Sequence, residues 1–160
     1  MTNPFSFFSA GLQKGFTGES VFQPVTRAGF SLHSSHFEEN GNIYHDEWAG
    51  SQSGGGQELV KVGGQVFTRT YAGGAIPAAA LQALGISKKD IMAYLFTCIA
   101  SFGEKMRLQT NLPRQVEGDW SYEYRVLEKN DAISMTVGKE EILYKNALVF
   151  THVFVMCPVE

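Results

Sequence analysis

The chain carries one pattern twice. Residues 57–71 (QELVKVGGQVFTRTY) align without a gap on residues 140–154 (EEILYKNALVFTHVF), an offset of 83 positions. Four of the 15 positions are identical: Glu58/Glu141, Val66/Val149, Phe67/Phe150 and Thr68/Thr151. Others keep their chemistry, such as Leu59/Ile142, Arg69/His152 and Tyr71/Phe154. Upstream, residues 37–43 face residues 127–133 at an offset of 90, and the segment around 49–56 absorbs the change. A duplicated unit predicts a single domain over 1–160, built from two repeats of about 1–76 and 77–160 around a shared cleft.

The local signals fill in each half. Phe5, Phe8 and Leu12 recur at spacings of three and four, which predicts a short amphipathic helix over 4–14 with Asn3 as its cap. Two alternating runs, 29–38 and 42–49, flank Asn40-Gly41, a dipeptide that favours a two-residue hairpin turn. The Gly/Ser-rich stretch 50–55 reads as a flexible bridge into a strand over 56–62, and Gly63-Gly64 as a turn into 65–72. In the second half, 77–84 reads as one or two helical turns. Ser87 and Asp90 have the spacing of a capping box that opens a helix over 88–106. Its stripe of Ile91, Leu95, Cys98 and Phe102 suits packing on a sheet. A loop with Pro113 then precedes strands over 119–128, 132–137, 139–145 and 148–156. The expected class is α+β: an internally duplicated helix-plus-four-strand unit forming a curved antiparallel sheet with helices packed on one face.

Composition narrows the function classes. A hydrophobic content of 44% with 18% charged residues is globular rather than disordered. A net charge of −3 argues against a nucleic-acid surface, and the local cluster of Lys105, Arg107 and Arg114 reads as a solvated loop. Cys98 and Cys157 sit among apolar neighbours, as buried reduced thiols do. No apolar run approaches the ~18 residues needed to cross a bilayer, and the N-terminus lacks a basic region of the secretory kind. The expectation is a cytoplasmic protein without nucleic-acid or membrane partners.

The first hairpin holds the densest polar constellation. With Asn40-Gly41 as its turn, His36 lies opposite His45 and Ser34 opposite Glu47, which puts His36, His45 and Glu47 on one face. Two imidazoles and a carboxylate are a low-ranking candidate metal set. The other face takes His33, Phe37, Tyr44, Asp46 and Trp48. An Asp beside a His is what general-base catalysis needs, so a hydrolase or isomerase using His33, Asp46, His36 or His45 is one reading. Glu58 falls opposite Arg69. With Asn146-Ala147 as the turn, Glu141 falls opposite His152, so a cross-strand pair recurs. It reads first as structural, and second as two polar anchors facing a cleft.

These same residues carry a resemblance. Tyr44-His45-Asp46-Glu47-Trp48-Ala49-Gly50, then Gly56-Gln57-Glu58, Gly63-Gly64-Gln65-Val66-Phe67 and Tyr71-Ala72-Gly73, resemble a bacterial domain family of unknown function found standalone or fused behind a helix-turn-helix regulator domain. The second copy fits the family's closing hairpins, although Cys157-Pro158 replaces the usual glycines after the last strand. The resemblance implies a standalone sensor of a small molecule. The duplicated hairpin, the aromatic strand faces and the paired Glu58/Glu141 make the leading reading a non-catalytic ligand-binding domain without a cofactor, its pocket between the sheet and the 88–106 helix. The ligand-binding candidates are Tyr44, Trp48, Glu58, Tyr71, Trp120, Tyr124 and Glu141. A homodimeric interaction module, pairing through edge strands, is a third reading.

Overall fold

The alternation of the strand segments is realised as one sheet. The structure is a computed structural model that describes residues 4–160, so the expected cap Asn3 lies outside it. The elements run α1 (Ser6–Thr17), β1 (Val21–Arg27), β2 (Phe30–Glu39), β3 (Asn42–Gly50), β4 (Ser53–Val62), β5 (Gln65–Ala75), α2 (Ala78–Ala83), α3 (Lys88–Phe102), β6 (Leu112–Glu117), β7 (Trp120–Asn130), β8 (Met135–Tyr144) and β9 (Ala147–Val159). All nine strands join in one antiparallel sheet, in the order β1-β2-β3-β4-β5-β9-β8-β7-β6. With three α-helices beside it, the molecule is mostly β rather than plainly α+β.

Period-two alternation divides the sheet into two faces. Buried positions such as Tyr44, Glu58, Val60, Phe67, Arg69, Tyr122, Glu140, Ile142 and Phe154 belong to one of them. From α1, Phe5 packs on Phe67 and Phe7 on Phe37, with ring centroids 4.7 and 6.0 Å apart. From α3, Tyr94 stacks on Trp120 and Phe102 meets Tyr122. The capping box opens α3 as expected: Asp90 N–H donates to the Ser87 hydroxyl and Ser87 N–H to the Asp90 carboxylate. Gly103 ends the helix, and a 3-10 turn, Gly103–Lys105, replaces the last turn expected over 88–106.

Four strand expectations need correction, each for a physical reason. β1 and β6 lie at the two sheet edges, where Pro24 and Pro113 are tolerated because an edge strand need not donate on both sides. Pro113 made the β6 segment read as loop, and the segment of β1 was given no element at all. The stretch 50–55 is no flexible bridge: Gly50 pairs with Gly54, and Gly54 pairs in turn with Gly73 of β5. A Cβ on Gly54 would collide with the Ala49 carbonyl, so the glycines permit a close crossing of strands. β8 is one strand where two were expected. Gly138 sits in its middle because a Cβ there would strike the Tyr124 ring and hydroxyl.

Candidate functional site

Two buried ion pairs underlie the site. In β4 and β5, Glu58 faces Arg69, and the guanidinium donates from Nε to Oε2 (2.5 Å) and from Nη2 to Oε1 (2.6 Å). Tyr44 of β3 donates its hydroxyl to Glu58 at 2.9 Å. Arg69 donates its remaining Nη1 to the Arg107 carbonyl at 2.9 Å. Arg107 in turn donates to both oxygens of Glu140, at 2.8 and 2.7 Å, and Tyr122 and the His152 ring also reach that carboxylate. Both guanidinium groups lie over the Phe154 ring, Arg69 at 5.5 Å and Arg107 at 5.1 Å from its centroid. Burial alone would keep Glu140 protonated, yet Arg107 and His152 overcome it and hold the carboxyl down at about 2. Removing one member of such a pair leaves an unmatched buried charge, at a cost of about 3–5 kcal/mol.

The glutamate that faces His152 is Glu140, not Glu141. Its hairpin turns at Lys145-Asn146, one residue before the expected Asn146-Ala147, and the pairing of β8 with β9 shifts between Ile142 and Leu143. Glu140 thereby faces His152, while Glu141 moves to the opposite face and pairs with Arg125 and Lys139 at 3.1 and 2.7 Å. Arg107 is likewise no part of a solvated loop. It is buried with a left-handed backbone (φ 56°), a conformation that its carbonyl and side-chain contacts maintain. Its role has no local sequence signal. Glu140 had one, the acidic doublet beside the aligned Glu141.

Beside these pairs lies a cavity of about 350 Å³. Strands β2 to β5 and β9 supply one wall and helices α1 and α3 the other, the latter through Leu12, Phe16, Lys88, Met92 and Leu95. Asp46 reaches its interior. The hydrogen bonds recorded for its carboxyl come from the Tyr71 hydroxyl, 3.1 and 3.3 Å from the two oxygens. Burial, reinforced by the neighbouring charge of Glu58, pushes Asp46 up to about 8, against the pull of Tyr71 and the two guanidinium groups. Gly56 allows this contact, since a Cβ there would come within 2.7 Å of both the Trp48 Cβ and the Tyr71 hydroxyl.

Of the seven ligand-binding candidates, Trp48, Glu58 and Tyr71 line the cavity. Tyr44 is buried beneath Gly11 of α1, and its hydroxyl serves Glu58. Tyr124 is buried and donates to the Leu108 carbonyl at 2.6 Å. Trp120 lies instead in a separate surface cleft with Tyr94 and Tyr144. Among the catalytic candidates, His33 and Asp46 line the cavity. His36 and His45 sit opposite one another in register on the other face, each bonded to a carboxylate of its own strand, Glu38 and Glu47. Glu47 is held by Arg27, and among the described residues no group of three His, Cys, Asp or Glu side chains converges on a metal site. Both cysteines are free, and burial pushes the Cys98 thiol up to about 12.

No family model matches this chain, and neither the curated proteins nor the solved structures yield a significant match. The site therefore has to be read from its own chemistry. Among the described residues no helix is long and apolar enough to cross a membrane.

Proposed function

We propose that this protein is a small-molecule-binding domain whose ligand occupies the cavity between the sheet and helices α1 and α3. The observation that carries the reading is the cavity itself. Its volume of about 350 Å³ falls in the roughly 300–1,000 Å³ range of small-molecule sites, and its walls are mainly apolar with a few convergent polar groups. The family resemblance, which implies a metabolite sensor, agrees with it.

Duplication is part of the same proposal. Strand order reads outward from the β5·β9 seam as 5-4-3-2-1 on one side and 9-8-7-6 on the other, so the first side carries one extra edge strand, β1. Tyr44, Glu58 and Arg69 meet in one half as Tyr122, Glu140 and His152 do in the other. Helices grouped on one face of the sheet are supported by α1 and α3 both lining the cavity. The asymmetry between halves points to the site. Beside the buried glutamate, the first half has Asp46 where the second has Tyr124.

Binding is favoured over hydrolysis or isomerisation by how the polar groups are used. Asp46 accepts from Tyr71 and no hydrogen bond joins it to His33, whose ring lies against Trp48 with centroids 5.5 Å apart. The test uses naphthalen-2-ylmethanol as an uncharged probe in a thermal-shift titration. The probe should raise the melting temperature of the parent, and Met92→Trp, which fills the cavity from the half-exposed side of α3, should abolish the shift. An equal shift in both proteins would refute the proposed site.

A further inference from the structure

The charge count around the cavity is uneven. Glu58 is matched by Arg69 and Glu140 by Arg107, both through paired hydrogen bonds. Asp46, 9% exposed, has among the described residues no cation within ion-pairing distance, and its hydrogen-bond partner is a neutral phenol. A carboxylate left without a counter-charge in an apolar site is costly unless an incoming cation matches it. The two guanidinium groups nearby are committed to Glu58 and Glu140, and Lys88, the other cation lining the cavity, comes from the helical wall rather than from the strands around Asp46.

The walls fit the same cation. The aromatic side chains of Trp48 and Tyr71 stand beside Asp46, and an ammonium is attracted to such ring faces when desolvated. The Tyr71 hydroxyl donates to Asp46 and keeps its own lone pairs available to a further donor. Met92, Leu95 and Phe150 add uncharged wall to the cavity.

We infer that the cavity takes a ligand combining a flat apolar group with a protonated amine, its ammonium donating to the Asp46 carboxylate and the Tyr71 oxygen and its apolar part lying beside Trp48 and Met92. This rests on the binding reading above and narrows it to one ligand class. Because Asp46 otherwise keeps its proton to about pH 8, seating the ammonium releases that proton. Amine affinity should therefore climb with pH, approaching tenfold per unit between about pH 6 and 8. The other groups facing the cavity are His33 of β2, Glu58 of β4, Tyr71 of β5, His152 of β9, Lys88 of α3 and Arg107; α1 contributes only Leu12 and Phe16. They are shared by parent and variant, so the difference between the two pH profiles reads Asp46.

The experiment is isothermal titration of the full chain at pH 6, 7 and 8 with three isosteric probes: naphthalen-2-ylmethylamine, naphthalen-2-ylmethanol and 2-naphthoate. At pH 8 the amine should bind about tenfold tighter than the alcohol, the gain expected of one charge-assisted contact. Asp46→Asn should shrink that ratio below about threefold and flatten the pH dependence. Alcohol binding with no amine preference, or a preference for 2-naphthoate, overturns the inference and leaves the binding reading standing. An amine preference that survives in Asp46→Asn also overturns it. Failure of all three probes overturns both.

Discussion

Asp46 shows how one side chain can oppose the stability of the fold that holds it. Its carboxyl keeps a proton to about pH 8, against the usual 3.8. Between those values the unfolded chain has released a proton that the folded chain retains. The stability tied to this group is thus complete below about pH 4 and declines as pH rises toward 8. Asp46→Asn removes the dependence while preserving shape and an oxygen to accept from Tyr71. In urea denaturation the variant should match the parent near pH 4 and become the more stable at pH 8, the gap opening by up to ~1.4 kcal/mol per pH unit. A gap that stays flat with pH would show that Asp46 ionises freely in the folded protein.

At the level of elements, the glycines within strands mark where side chains from neighbouring strands need room. Gly138→Ala should destabilise by about 1–3 kcal/mol through collision with the Tyr124 ring, and Tyr124→Leu in the same chain should recover much of that loss. Equal denaturation midpoints for Gly138→Ala and parent would refute the close approach. The same glycine explains what was legible in the sequence. The first hairpin was readable to the residue, because Asn40-Gly41 fixes the turn and the turn fixes the register of His36 with His45. The Glu58–Arg69 pair followed equally from Gly63-Gly64. β8 was not, because a glycine that yields space to Tyr124 looks like one that ends a strand. The second hairpin slipped because Lys145 adopts a left-handed backbone (φ 49°), which its residue type does not advertise. Of the cavity, Trp48, Glu58 and Tyr71 were visible as aromatic and acidic strand positions. Arg107 was not, since a connection after a helix carries no periodicity to place it.

For the whole molecule, the open question of self-association turns on the sheet's two margins. β1 exposes Val21 and Phe22, β2 exposes Phe30, and β6 exposes Val116, so apolar surface is present at both ends. Pro24 and Pro113 interrupt the donor row on those outer strands, which disfavours extension of the sheet into a second copy. Light scattering should give the monomer mass at every concentration tested, with Pro24→Thr shifting it upward. A dimer of the parent chain would show that the margins are interfaces. Ligand stoichiometry is set at this scale as well. Tyr124 stands in the back half where Asp46 stands in the front half, and its ring fills, against Gly138, the place that Asp46 leaves hollow. Under the proposed duplication, it closes the position equivalent to the Asp46 site. On the binding function proposed above, saturation should come at one molecule per polypeptide.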